Sequence, residues 1–382
     1  MKNEYWYDLP ERLIAQMPAN PRDSSKLLVY DTKNNSLIIK KFSELAPSLP
    51  PSPTLTFNDA KVVPARVTLT KETGGKIVVL FLINEWISAR SGPIPCFLDR
   101  KSREGDKLYF ADKSFVTVQK QDEGIFYLSW DGKADDLLKK LDDFGTMPIP
   151  PYIKHSPLSR DELLDKYQTI FAKNPGSSAA PTASLHFTPE VFKSLEAAGI
   201  PQKYVTLHVG LGTFAPLTEQ NIKEKKLHYE WYEMPEDTFR CIDKSKKEGG
   251  KIIAVGTTVV RTLESVANRS VIPAEAGIQS KMNQFGNCID SRLRGNDNKI
   301  SKRTIKDGVI FGSTDLFIQP PYEFKIVDGL ITNFHLPGSS LMMLVDAFLE
   351  HKKAKRRILE LYEFAKKNNF RFYSFGDAML IV

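Results

Sequence analysis

The apolar positions follow two rhythms. Across residues 61–130 they come in short β-type runs, at 67–70, 76–83, 107–110, 115–119 and 125–130, broken by turn residues such as Gly74 and Gly75. Five or six such strands with no helical period predict a small antiparallel barrel. Further on, apolar strands alternate with amphipathic helices: strand at 204–209, helix at 235–247, strand at 251–255, helix at 259–266. That alternation predicts an α/β domain. Residues 26–31 and 36–41 read as a hairpin around Lys33, Asn34 and Asn35, and 134–141 as a short helix. The stretch after Tyr7 reads as a short helix burying Leu13 and Ile14 and stopped by Pro18 and Pro21. Four prolines at 47–53 fit neither a helix nor a central strand, so this segment reads as a loop. Residues 341–349 and 352–367 predict one or two helices with an apolar stripe and a basic outer face.

The expected architecture is therefore a mixed α/β main domain, residues 1–60 and 146–382, with an inserted small antiparallel β-barrel domain at 61–145. Residues 269–303 interrupt the α/β alternation with polar sequence of low periodicity. Parts of it, 271–279 and 290–297, resemble the translated palindromic repeats found inside some bacterial genes. The segment is expected to be a flexible insert irrelevant to catalysis, tolerated because lengthening a surface loop costs little entropy.

Composition narrows the class. A chain of 382 residues that is 41% hydrophobic has material for a large core and is not disordered. Its longest unbroken apolar run, 77–83, is seven residues, where a spanning helix needs about 20. The first ten residues carry charges in place of a signal-peptide apolar stretch, so a soluble, unexported, cytoplasmic protein is expected. Cys96, Cys241 and Cys288 lie far apart, offering neither a disulfide framework nor zinc spacing. Net charge is +7, held in two places: +4 in 269–303 and +6 in 352–371. The second is the better candidate for a phosphate backbone, although a charge run is more often simply a solvated helix face.

Four segments gather glycine, hydroxyl, imidazole and acid groups at strand or helix ends, where α/β proteins keep their sites. The first contains Thr182, His186 and Phe187, with Thr188 placed to cap a helix starting at Pro189. In the second, a β-run through His208 ends in Gly210, Gly212 and Thr213, a cradle for a carboxylate, ribose or phosphate, although a strand histidine is more often a satisfied core residue. The third is an apolar strand, the turn Gly256, Thr257, Thr258, and a helix presenting Arg261, an arrangement that favours an anionic group. It has no Walker lysine. The fourth holds Asn333, His335, Ser339 and Ser340, and Gly376-Asp377 closes the chain. No Gly-x-Ser-x-Gly elbow exists and the six histidines lack metal spacing, so neither a hydrolase triad nor a metalloenzyme is supported.

Read in order, Tyr7-Asp-Leu-Pro, the run from Asn58-Asp59 to Arg66, the Pro-x-Pro-Pro-Tyr-Ile motif at Pro148, Tyr167-Gln-Thr, the segments around His186, His208 and Gly256, Arg261-Thr-Leu-Glu-Ser, the segment around His335, and Gly376-Asp-Ala-Met-Leu-Ile resemble one family. It is the S-adenosylmethionine:tRNA ribosyltransferase-isomerase family of queuosine biosynthesis, and the likeness runs from end to end apart from the insert. Ala60, Ser184, Val259 and Pro321 depart from the family pattern.

The resemblance implies an α/β domain with an inserted barrel. It also implies transfer and isomerisation of the ribosyl group of S-adenosylmethionine onto 7-aminomethyl-7-deazaguanine at the tRNA wobble position, giving epoxyqueuosine-tRNA, adenine and methionine. The expected partners are S-adenosylmethionine as a consumed co-substrate and the tRNA anticodon arm, with no permanent cofactor, no metal, no membrane and a single subunit. The sulfonium acidifies the adjacent ribose carbon, the aminomethyl nitrogen must lose a proton, and adenine must gain one. At least two proton-transfer groups are needed. The expected pool is His186, His208, His335, Asp59, Glu230 and Asp377, the three imidazoles converging on one pocket. Substrate contacts are expected from Arg66, Thr182, Phe187, Gly210, Gly212, Thr213, Gly256, Thr257, Thr258, Arg261, Asn333 and Ser340. Phe187, Phe214 or Phe334 would wall the cation, and Arg261 with the turn Gly256, Thr257, Thr258 would meet the methionine carboxylate. A non-catalytic RNA-binding module and a nucleoside hydrolase remain as alternatives, separable by product analysis.

Overall fold

The computed structural model describes residues 4–87, 91–122, 124–210, 219–268 and 304–382. The 269–303 insert and Gly212, Thr213 and Phe214 lie outside the described residues. Among the described residues, ten strands form one sheet. Its order is Thr304–Lys306, Val309–Leu316, Lys226–Pro235, Gln202–Leu207, Pro53–Asn58, Lys251–Val255, Gly329–Asn333, Ala378–Ile381, Lys26–Asp31, Ser36–Lys41. The four strands from Gln202–Leu207 to Gly329–Asn333 are mutually parallel, so their carboxyl ends share one edge. Lys251–Val255 and Gly329–Asn333, buried along nearly their whole length in the middle of the sheet, are accordingly apolar over most of their residues.

The expected hairpin is present, with Leu27 to Tyr30 buried on Lys26–Asp31 and Ile38 and Ile39 exposed on the edge strand. Two expectations differ. The helix after Tyr7 is a single 3-10 turn, Glu11–Leu13, followed by a bridge from Ile14 to Phe372. The proline loop ends in the central strand Pro53–Asn58, whose proline takes the first position, where a missing N–H is tolerated.

The second layer of organisation is a closed six-stranded barrel of Arg66–Lys71, Lys76–Phe81, Ile94–Leu98, Lys107–Tyr109, Phe115–Asp122 and Ile125–Ser129. All its pairings are antiparallel. Alternate residues, including Val67, Leu69, Ile77, Val79, Phe81, Val116 and Leu128, fill the lumen, and Leu137 and Leu141 of helix Ala134–Phe144 join that core. The strand Ile94–Leu98 carries Pro95 and lacks a clear alternating pattern, which is why it escapes a sequence reading.

The chain leaves the barrel at Gly145, where Thr146 pairs with Arg66 and the Gly145 carbonyl accepts from Arg160 Nε at 2.8 Å. A side chain there would meet the Pro64 carbonyl oxygen at 1.8 Å, a backbone atom that cannot step aside. Gly145→Ala is therefore expected to destabilise the protein by about 1–3 kcal/mol or more, read as a lower thermal midpoint. An unchanged midpoint would mean that the joint is looser than the structure has it.

Candidate active site

The shared edge is fastened by Asn58, which is wholly buried at the end of Pro53–Asn58. Its Nδ2 donates to the Leu207 carbonyl at 3.0 Å and to Thr258 Oγ1 at 3.3 Å. Its Oδ1 accepts from the main chains of Leu207 and Ala60 at 3.0 and 3.1 Å. One side-chain amide thus joins two strands and the start of helix Thr257–Ala267, in place of ladder bonds that end there.

The face of the sheet that buries Phe57, Tyr204 and Ile331 carries Asp59, Thr206 and Asn333 one pleat further on. Thr206 Oγ1 donates to Asp59 Oδ1 at 2.6 Å, and Asn174 Nδ2 donates to the same oxygen at 3.1 Å. Across the antiparallel pair, Thr206 faces Glu233, and the ladder continues with the His208 N–H donating to the Trp231 carbonyl at 3.1 Å. Glu233 and Trp231 consequently share a face with Thr206 and His208. Burial, and next the charge of Asp59, raise the Glu233 carboxyl above the usual carboxylate range. Glu233 was not among the expected residues, because only strand register brings it to Asp59.

His208 is 7% exposed, and its Nδ1 is buried with no hydrogen-bond partner among the described residues. Burial lowers it to about 4, so it is neutral at pH 7. It lies against Gly176, whose φ is +142° and where an added Cβ would stand 3.0 Å from the imidazole. Gly210, beside it in sequence, donates its N–H to Glu230 Oε1 at 3.0 Å, and an added Cβ there would meet Asn84 Nδ2 at 2.9 Å. Asn84 also accepts from Ser178 Oγ at 3.2 Å, which docks the short helix Ile83–Trp86 beside this segment.

His186 follows the 3-10 turn Thr182–Ser184, which holds the half-buried Thr182. Asn333 Nδ2 donates to the Asp377 carbonyl at 3.3 Å, which fixes the amide so that the same nitrogen donates to His186 Nε2 at 3.2 Å. His186 Nδ1 then carries the proton and donates to Ser25 Oγ at 2.8 Å. Stacking on Phe42 completes its surroundings. Burial, and next the positive charge of Arg371, lower it to about 3. Both of its ring nitrogens are thus committed to hydrogen bonds within the protein. The Asp377 carboxylate accepts from the Lys26 and Arg371 main chains at 3.1 and 2.8 Å and pairs with the Arg371 guanidinium, a fastening of the strand ends.

The imidazoles do not meet in one pocket. His335 Nε2 bonds Thr332 Oγ1 at 2.8 Å, and Thr332 points to the face opposite Asn333, so His335 lies across the strand from His186. Its main chain is held by Tyr7 and Tyr362, and burial lowers it to about 4. His208 stands three strand spacings from Asn333, about 14 Å. The site is a ledge along the sheet edge instead of a single cup.

Other expected residues have other surroundings. Arg261 is 6% exposed, forms a buried ion pair with Glu230, and donates to the Leu316 carbonyl at 3.1 Å, all on the helix-covered face. Its charge is spent within the protein, and removing either partner would strand a buried charge at a cost of about 3–5 kcal/mol. Phe187 is wholly buried among Phe42, Phe57 and Phe192, and Phe334 among Tyr362, Phe370 and Phe372, so both pack the core in place of walling a ligand. Ser339, not Ser340, caps helix Ser340–His351 by accepting from the Met342 N–H. Arg66 is exposed at the barrel joint. The turn at Gly256, φ +97°, feeds Thr257 and Thr258 into the helix start, where Thr258 meets Asn58. The C-terminal positive segment divides: Arg356 donates its N–H to Tyr30 Oη at the far end of the sheet, while Arg371 lies at the site end. Ser25, Asn58, Asn174 and Glu233 were not among the expected site residues; each depends on partners 27 or more residues away in the chain.

Among the described residues no group of three or more His, Cys, Asp or Glu could hold a metal ion, and no helix is long and apolar enough to cross a membrane. In an unfolded chain imidazole titrates near pH ~6.5, so between about 6.5 and 4 the unfolded chain binds protons that the buried His186, His208 and His335 refuse. Stability is then full above about pH 6.5 and falls on acidification by up to about 1.4 kcal/mol per unit per histidine. The urea midpoint should drop between pH 7 and 5.5, above the range of ordinary carboxylates. A midpoint unaltered over that interval would place the imidazoles in water.

The family model described as queuosine biosynthesis protein matches residues 2–381. Curated relatives named S-adenosylmethionine:tRNA ribosyltransferase-isomerase are similar along their whole length. The protein of Carboxydothermus hydrogenoformans is 40% identical over 99% of both chains, and that of Staphylococcus haemolyticus 38% identical over 99% of both. The crystal structure of S-adenosylmethionine tRNA ribosyltransferase from Thermotoga maritima is 30% identical, with a TM-score of 0.50 over 99% of this chain and 100% of that one. With parallel strand ends, barrel and sequence in agreement, the chain belongs to the queuosine biosynthesis protein family, among the S-adenosylmethionine:tRNA ribosyltransferase-isomerase enzymes.

Proposed function

We propose that the protein transfers the ribosyl group of S-adenosylmethionine to 7-aminomethyl-7-deazaguanine at the wobble position of tRNA and isomerises it, releasing adenine and methionine and leaving epoxyqueuosine-tRNA. The reading is carried by the end-to-end likeness to enzymes of that name, and proton-handling groups on one polar sheet edge support it. The tRNA partner is its anticodon arm, and the enzyme works in the cytoplasm as a single subunit without a metal or permanent cofactor. Its working units are a main domain of residues 1–60 and 146–382 and a barrel domain of residues 61–145.

On this reading the ledge takes S-adenosylmethionine lengthwise. The methionine carboxylate goes to the turn Gly256, Thr257, Thr258 at the positive end of helix Thr257–Ala267. His208, neutral and without a side-chain partner among the described residues, takes the proton from the ribose carbon that the sulfonium acidifies. Glu233, whose carboxyl is raised above the usual carboxylate range by burial and by Asp59, is the acid placed to protonate departing adenine. Asp59 accepts from the attacking amine, and Asn333 with His186 orients the substrate across the edge.

The test is product analysis. Incubated with S-adenosylmethionine and tRNA bearing the deazaguanine precursor, the protein should release one adenine per tRNA modified, with the matching mass gain on the tRNA. Binding of tRNA with neither product would leave an RNA-binding protein, and adenine freed without tRNA would make it a nucleoside hydrolase.

A further inference from the structure

Strand Lys226–Pro235 buries Glu230, Tyr232 and Met234 and turns Tyr229 and Trp231 outward, 58% and 47% exposed. Two large aromatic side chains two residues apart, Tyr229 at the end of a register shift between Lys226 and Glu230, leave apolar surface that folding does not use. They lie beside the site: Trp231 is directly opposite His208 in the ladder, and Glu233 is next along the same face. The strand is entered through exposed Lys223, Glu224, Lys225 and Lys226, the last within 3.8 Å of the Asp315 carboxylate, which leaves a net positive approach to the aromatic pair.

From this juxtaposition we infer that Tyr229 and Trp231 are a stacking platform for the unpaired bases of an RNA loop, seating the nucleotides next to the one that enters the ledge. The inference rests on the tRNA reading above and deepens it by naming the surface. A base that undergoes chemistry must leave its stack, and its neighbours lose partners when it does. Exposed aromatic rings replace those partners without reading sequence, and flanking cations hold the backbone. Charge and chemistry both select this occupant: a nucleobase offers a π-face to an indole or phenol, and phosphates meet the lysines.

The experiment uses the full-length enzyme and tRNA carrying the precursor. Trp231→Ala and Tyr229→Ala should each raise the KM for tRNA about tenfold, with the affinity for S-adenosylmethionine and the thermal midpoint unchanged. Trp231→Phe should restore most of the loss, as stacking requires only a ring. Wild-type Trp fluorescence should quench on binding the precursor-bearing tRNA, and Trp231→Phe should quench less. An unaltered KM for tRNA in both alanine variants would overturn the platform while leaving the activity intact. So would a concentration-dependent dimer that Trp231→Ala abolishes at unaltered KM. Failure of the wild-type enzyme to modify tRNA at all would instead overturn the function on which the platform rests.

Discussion

The Asn58 side-chain amide is the constraint on which the site depends. It sits where the parallel ladder between Pro53–Asn58 and Gln202–Leu207 runs out, and it satisfies both the N–H and the carbonyl of Leu207. Without it, two buried main-chain groups would lose their partners at about 1–3 kcal/mol each. Because the same amide reaches Thr258, the end of the central strand, the segment carrying Thr206 and His208, and the amino end of helix Thr257–Ala267 cannot shift independently. Asp59, the next residue, is thereby aimed at Thr206 and Asn174.

From that fastening follows a division of labour between the two faces of the sheet. One face is sealed by helix Thr257–Ala267, where Arg261 and Glu230 neutralise each other out of water. A buried pair of this kind contributes little net stability but strongly resists removal of either member. The other face keeps Asp59, Glu233, His208, Asn333 and His186 at a polar edge. Its imidazoles stay neutral because burial disfavours their charge, leaving the edge free of fixed imidazolium cations that would repel a sulfonium.

Much of this was legible in the sequence. The barrel declared itself through short β-runs, and the segments around His208, Gly256 and Asn333 fall where Gln202–Leu207, Lys251–Val255 and Gly329–Asn333 end, while the one around His186 lies between a 3-10 turn and a helix. What the sequence concealed has physical reasons. The central strand was hidden because its first residue is the last of a proline cluster, and Pro53 matters only through its position at the strand start. Which face a side chain occupies depends on register, so Glu233 could not be paired with Asp59, nor His335 separated from His186. Arg261 read as a free cation because its partner, Glu230, is 31 residues away on another strand. Phe187 and Phe334 carried no mark distinguishing a ligand wall from a packed ring.

Of the three buried imidazoles, His186 and His335 have ring hydrogen bonds and His208 Nδ1 has none among the described residues, so His208 is the proposed proton acceptor. The direct measurement is single-turnover adenine release by His208→Gln on precursor-bearing tRNA, beside its affinity for S-adenosylmethionine. With His208 as the base, the rate should fall about 10²–10⁴-fold while affinity and thermal midpoint are retained. A folded variant that frees adenine at the wild-type rate would contradict it.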